Sequence, residues 1–354
     1  MASNPSERTI CARLMNDRFA LCLPREEFDE KRVADSIKEL QREFTGNSFH
    51  LHMYMGVYEI RDRDEAVSIM VDKANIAADT IKNNYDCCVA YYDEHLLEIS
   101  IEQRRLLGEF EPALQNDEFV MYLQPQVKRD GAAKGAEALV RWVHPSRGIL
   151  TPYAFIDILE NAGLIYKLDL YIWEKAAQKL AEWKEKGYGS YHISVNISTK
   201  DFYIIDIYET FTGLINKYGI AASNLHLEIT ETTLMTDFEK NMNIIHKLQG
   251  VGFRVEIDDF GSGYSSLNML KDISADVLKI DMGFLRKSEN EVKGQDILES
   301  IIALAGKIGM DVITEGVETK KQLDMLTMMG CHEFQGYYFS KPVPVSEFEE
   351  KYLV

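Results

Sequence analysis

Long apolar runs are missing from this 354-residue chain. Its longest apolar stretches, such as ILESIIALAG, are too short and interrupted to span a bilayer, so no membrane segment is expected. The first residues, MASNPSERTICARL, lack the apolar core of a secretory signal. Cysteine is scarce: five residues, at 11, 22, 87, 88 and 331, odd in number and without CxxC spacing. That excludes a disulfide scaffold and fits reduced thiols in a cytoplasmic protein. Basic charge is also short, with 39 Lys and Arg against 57 Asp and Glu, a net charge of −18. Such a chain repels a phosphate backbone, and no local basic patch offsets this, so polymeric nucleic acid is not an expected partner. An anionic substrate would need local positive charge, which bound divalent cations could supply. What is present is 46% apolar residues, enough for substantial cores over about two domains.

Residues 9–23 alternate and predict a hairpin around MND. A helix over EEFDEKRVADSIKELQREF, a strand over SFHLHMYMGVYEI, a helix over DEAVSIMVDKANIAADTIKN and a short strand CCVAYYD follow. Together residues 1–95 read as a small α+β module, which looks incomplete because it begins on a strand with nothing before it to cover it. Residues 96–115 form a helical connector. From 116 to 354 strands and helices alternate, with strands near 119–126, 136–142, 192–197, 225–230, 254–259, 277–280, 311–315 and 333–336. Eight such units predict an α/β, (β/α)8 TIM-like barrel, with an elaborated helical lobe over 143–190 where no strand is expected.

Acidic and amide residues, joined by one lysine, recur at the C-terminal ends of these strands, where barrel chemistry sits. They are Glu137 in EALVR, Asn196 in SVNIS, Glu228 in LEITE, Asp258 and Asp259 in VEIDD, Lys279 in VLKID and Glu315 in ITEGV. Strand parity lets them point into one mouth while the aliphatic residues between them pack under helices. Glu137, Leu139 and Arg141 share one such face. Oxygen donors without His or Cys suit Mg²⁺ or Mn²⁺ better than zinc. The adjacent Asp258–Asp259 pair suits two ions about 4 Å apart, the spacing of two-metal phosphoryl chemistry. Lys279 would orient or deprotonate a water or neutralise developing charge, and Arg141 offers a fork to a phosphate oxygen. Lys279 and Asp281 also admit a plain reading as a surface pair. The glycines of GSGYSS suggest a turned or mobile loop beside the acids.

These motifs resemble the EAL domain family, phosphodiesterases that open cyclic di-GMP. The resemblance runs from about 106 to 354 and rests on LQPQ, EALVR, VNIS, EITE, DDFGSGYSS, LKID, EGVE and QGYYFSKP. It implies a barrel whose first strand runs antiparallel to the rest and hydrolysis of cyclic di-GMP to linear pGpG with two Mg²⁺ or Mn²⁺ ions. It further implies Glu137, Asn196, Glu228 and Asp258 as ligands of one metal, and Asp258 and Asp259 as ligands of the second. Lys279 would contact the water, Glu315 would complete the catalytic site with Glu137, and Glu231 would anchor the loop after the Asp pair. Gln124, Leu139, Arg141 and Gln335 would meet the substrate, and a homodimer through this domain is expected. Glu256 departs from the family, where a small or apolar residue is frequent. If it faces inward it needs a partner, for which Arg254 is the candidate.

Residues 1–95 resemble the later part of a GGDEF domain with its signature replaced by Met15-Asn16-Asp17-Arg18-Phe19, so cyclase activity is not expected. The complete ligand set favours an active phosphodiesterase. The alternative is a receptor that holds cyclic di-GMP without turnover and signals through the N-terminal module.

Overall fold

The alternating residues of ICARLM and RFALC fold back on each other as β1 (Ile10–Met15) and β2 (Arg18–Cys22), an antiparallel pair. The computed structural model describes residues 8–15, 17–44, 52–82, 84, 87–260, 273–283 and 291–353. The chain divides into two units, Met1–Gly108 and Glu109–Val354. In the first, α1 (Glu30–Phe44), β3 (Met55–Val57), α2 (Val67–Asp79) and β4 (Val89–Tyr91) follow the hairpin. β3 and β4 pair in parallel, and Ile37, Cys88 and Val89 form a small core with Phe28, Val33, Met53, Met55 and Val57. Gly56 lets β3 run against α2, since a Cβ there would lie 1.8 Å from the Ala74 carbonyl oxygen. The strand is far shorter than SFHLHMYMGVYEI suggested, and residues 48–51 of that run lie outside the described residues, as does Asn16 in the hairpin turn.

The unit boundary falls within helix α3 (Glu94–Gln115). The second unit then builds one closed sheet. Its strands are β5 (Phe119–Lys128), β6 (Ala133–His144), β8 (His192–Ile197), β9 (Leu225–Thr230), β10 (Val255–Asp258), β11 (Val277–Asp281), β12 (Asp311–Glu315) and β13 (Glu333–Phe334). Neighbours pair in that order, and β13 closes on β5. β5 is antiparallel to both its neighbours and every other barrel pair is parallel. This is the (β/α)8 TIM-like barrel with a reversed first strand.

A short β7 (Gly148–Leu150) pairs antiparallel with β6, so the stretch 143–190 is not free of strand as expected. The turn at His144–Gly148 folds the long β6 back on itself before the helices begin. Those helices are α4 (Ile156–Ala162) and α5 (Ile165–Glu185). Further along come α6 (Asp201–Ile204), α7 (Ile207–Tyr218), α8 (Glu231–Thr236), α9 (Phe238–Val251), α10 (Glu291–Lys307), α11 (Lys320–Met328) and α12 (Val345–Tyr352), with β14 (Val343–Pro344) beside β5.

Parity decides what each strand buries. On β9, Leu225, Leu227 and Ile229 are fully buried beneath the helices. At about 25 cal/mol per Å² of apolar surface, each such side chain contributes roughly 1.5–3 kcal/mol. The intervening residues turn into the barrel, and they are polar: His226 and Glu228 on β9, His192 and Ser194 on β8, Glu256 on β10 and Lys279 on β11 are all buried. A barrel interior is more often filled by branched aliphatics. Polar groups that deep must pair, and their pairing defines the site.

Candidate active site

Lys279 organises the C-terminal mouth of the barrel. Its side chain is wholly inaccessible, and its ammonium lies 2.7 Å from Glu315 Oε1, 3.0 Å from Glu228 Oε2 and 3.5 Å from both Glu137 Oε2 and Asp258 Oδ1. Four strands, β6, β9, β10 and β12, thus aim carboxylates at one cation. The plain reading of Lys279 as half of a surface pair is overturned. β11 lies in register between β10 and β12, so its inward residue meets side chains from both.

Burial alone would push the Lys279 ammonium down, but Asp258, Glu137, Glu228 and Glu315 outweigh it and hold its pKa well above the usual lysine range. Lys279 is a fixed positive charge. The carboxylates experience the reverse. Burial and the charge of Glu137 push Glu228 well up, against the pull of Lys279. Burial raises Glu315 to about 8, with Lys279 opposing and Asp258 and Glu137 adding. Four acids and one base leave this mouth short of positive charge.

The amides sit around Glu137. Asn196 Nδ2 donates to Glu137 Oε1 at 3.2 Å, and Gln335 Nε2 donates to Glu137 Oε2 and, at 3.3 Å, to Gln124 Oε1. Gln124 stands directly across from Glu137 in the β5–β6 register. Asn196 lies at the exposed rim, where Trp173 Nε1 of α5 donates to its carbonyl at 2.9 Å and fixes the end of β8. Gly336 brings Gln335 into place. The backbone beyond Gln335 is clipped to Val317, whose carbonyl oxygen would lie 2.2 Å from a Cβ at 336.

Asp259 is exposed and takes a left-handed φ of 56°, a conformation Asp tolerates better than most residues. Its amide donates to Asp258 Oδ1 at 2.8 Å. Although the residue as a whole is exposed, partial desolvation of its carboxyl, with the charge of Asp258 beside it, raises the Asp259 carboxyl. Glu231 is the first residue of α8, directly after β9 and half-buried. The GSGYSS loop expected to rest on it lies outside the described residues.

Arg141 is half-buried two residues beyond Leu139. Its Nη1 donates to the Val140 carbonyl at 2.8 Å and its guanidinium lies over the Tyr122 ring at 5.4 Å. Leu139, also half-buried, pairs with Tyr122 across β5–β6.

Glu256 faces inward and is fully buried, but its partner is not Arg254. Glu256 Oε1 takes His226 Nδ1 at 2.6 Å and the Ser194 hydroxyl at 3.1 Å. Arg254 precedes the strand and reaches outward to Asp311 Oδ2 at 2.6 Å. His192 and Ser194 share the inward parity of Asn196, and His226 that of Glu228, which is the sequence signal for this inner cluster.

The mouth fits a hard divalent cation. Glu228 Oε1 is buried with no hydrogen-bond partner, Glu228 Oε2 meets Lys279 at 3.0 Å, and the surrounding donors are carboxylate and amide oxygens. Among the described residues, no helix is long and apolar enough to cross a membrane.

A family model for the EAL domain matches residues 108–342. Over 98% of its length the chain is 30% identical to the bifunctional diguanylate cyclase/cyclic di-GMP phosphodiesterase MucR of Pseudomonas aeruginosa, of which it covers 51%. It is 34% identical over 68% of its length to the cyclic di-GMP phosphodiesterase PdeR of Escherichia coli, covering 36% of that protein. Among solved structures, the PaMucR phosphodiesterase in complex with c-di-GMP matches 69% of this chain and 99% of its own, with a TM-score of 0.65 and 33% identity. The chain therefore spans about half the length, or less, of these curated relatives.

Proposed function

The chain belongs to the EAL domain family through residues 108–342, and from that premise we propose that it hydrolyses one phosphodiester of cyclic di-GMP to give linear pGpG. The observation that carries this reading is the buried Lys279 ringed by Glu137, Glu228, Asp258 and Glu315 at the C-terminal mouth. Glu137, Asn196, Glu228 and Asp258 would hold one divalent cation, and Asp258 with Asp259 a second, Mg²⁺ or Mn²⁺ by donor chemistry. Bound there, the pair would supply Lewis-acid activation of a water and neutralise phosphate charge.

The chain's own residues do the remaining work. Lys279, placed among the same carboxylates, would orient or deprotonate the attacking water or neutralise a developing oxyanion. Glu315, 2.7 Å from Lys279, fixes the direction of that ammonium. Gln124 and Gln335 bracket Glu137 and present amides to the substrate edge. Arg141, freed from its backbone carbonyl, offers a guanidinium to a phosphate oxygen, with Leu139 as apolar floor between them. In the net reaction the water oxygen bonds to phosphorus, the bond from phosphorus to one 3′-oxygen breaks, and that oxygen leaves as a hydroxyl. By the family resemblance, Glu231 would anchor the segment that follows Asp259.

Residues 1–95 belong in the same proposal as a GGDEF-like remnant without cyclase activity, joined through the helical segment 96–115 to the barrel from 116 to 354. MucR, named as bifunctional, aligns with 98% of the chain, which supports that assignment. Cytoplasmic placement and a homodimer through the barrel complete it, the latter tested by sedimentation. The purified chain is incubated with cyclic di-GMP and Mg²⁺ or Mn²⁺, and products are separated by chromatography. Appearance of pGpG is the expected result. Intact substrate beside a cleaving control enzyme would overturn the proposal, and tight binding without product would favour the receptor alternative.

A further inference from the structure

Glu256 is a fully buried carboxylate that stands outside the ring of acids around Lys279. Its own contacts lie deeper in the barrel. His226 Nδ1 donates to Glu256 Oε1 at 2.6 Å, and the Ser194 hydroxyl donates to the same oxygen at 3.1 Å. The His226 ring lies flat on His192, with centroids 3.8 Å apart, and His192 Nε2 meets Gln126 Oε1 at 2.7 Å. Gly135, in register with His192, leaves room for that ring, since a Cβ there would lie 2.4 Å from it. Stacked and already paired, these side chains form a packed layer across β8, β9 and β10 that holds the Glu256 carboxyl still. A carboxylate that takes two donors on one oxygen is favoured in its charged form.

That charge is placed against the mouth. Glu256 pairs in register with Glu228 on β9 and precedes Asp258 by two residues on the same face of β10. Two of the proposed cation ligands are therefore its neighbours, one across the sheet and one along the strand. Glu256 Oε2 is buried without a hydrogen-bond partner, so nothing in the inner layer satisfies that half of the carboxylate. Its effect is felt at Glu228, whose carboxyl is raised by burial first, then by Glu137, and further by Glu256.

A fixed negative charge beside a cation pocket acts on protons and metals unequally. A divalent cation gains twice what a proton gains from the same charge at the same distance. Glu256 therefore favours the cation even where the cation displaces a proton from Glu228. His226 and Ser194 tie Glu256 to the inner layer, so its charge is not consumed by coordination. We propose that Glu256 is a positioning residue for the mouth: a fixed charge beside Glu228 and Asp258 that tightens their hold on a divalent cation without ligating it, a role that rests on the cation-binding reading of that mouth.

The test uses the full chain, freed of metal by chelator and then desalted. Mn²⁺ is titrated at pH 8, and the free ion is counted by its electron paramagnetic resonance signal, which needs no turnover. All titrations run well below each variant's melting temperature, so a loss of stability alone does not enter the affinity. Glu256→Gln keeps the shape and removes the charge, and it should bind Mn²⁺ at least about tenfold more weakly, the scale on which outer-shell partners act. Glu256→Ala should do likewise and decides the matter if the amide variant does not fold. Glu256→Asp keeps the charge and should stay closer to wild type than either neutral variant. Unchanged Mn²⁺ affinity in a folded neutral variant, equal weakening in Glu256→Asp, or loss of fold in both neutral variants would each overturn the proposal. Wild type that binds no Mn²⁺ would bring down the cation reading of the mouth and this role with it, a failure distinct from the other three.

Discussion

Replacing Lys279 by Met keeps length and removes charge, which isolates the role of its ammonium. The four carboxylates within 3.5 Å would then face one another without a counter-charge. Removing one partner of a buried ion pair costs about 3–5 kcal/mol, because the remaining charge stays buried. For a domain of this size each kcal/mol moves the melting temperature by about 2–4 °C, so a fall of about 6–20 °C is expected in chelator. Two further signs identify the cause. The carboxyls of the variant would bind protons more tightly folded than unfolded, so its deficit should grow from pH 5 to pH 8. Millimolar Mg²⁺ should recover part of the loss by supplying positive charge to the same oxygens. Melting curves of wild type and Lys279→Met at both pH values, with chelator and with Mg²⁺, make the comparison. Equal melting temperatures in chelator at pH 8 would refute the reasoning, since the carboxylates would then need no cation.

Glu137→Gln should lower turnover by at least about a hundredfold, the scale seen when one transition-state contact is lost, while the metal-free protein melts no lower because a like charge beside Glu228 is gone. Turnover with cyclic di-GMP and a melt in chelator check both halves. Gly336→Ala would place a Cβ 2.2 Å from the Val317 carbonyl oxygen and should cost about 1–3 kcal/mol while displacing Gln335 and lowering activity. Denaturant unfolding and initial rates read this out. Asp169 on α5 is hydrogen-bonded to Asp201, and burial, with Asp201 adding, raises its carboxyl well above the usual range. A raised acid pKa removes stability as pH climbs past the unfolded value. Asp169→Asn should therefore gain on wild type between pH 5 and pH 8 in thermal melts, and a constant difference would contradict the assignment.

The barrel was legible because its local signals agree. Apolar strands of period two and helices between them fix eight units, and the candidate ligands fall toward the same end of the barrel. Less legible was anything set by register across strands. LKID reads equally as a surface strand or a buried one, and only the neighbours of β11 decide that Lys279 is enclosed. The Glu256 partner was sought at Arg254, two residues away in sequence. Barrel geometry instead delivered His226, 30 residues back on the adjacent strand. β7 was missed because GIL is too short for a periodic signal and is held by the hairpin register with β6.

The central claim is that oxygen donors from four strands share divalent cations at the Lys279 mouth. Anomalous diffraction from crystals grown with Mn²⁺ tests it most directly. The account predicts manganese density in contact with Glu137, Glu228 and Asp258. Density elsewhere only, with those three carboxylates bound to Lys279 alone, would contradict it.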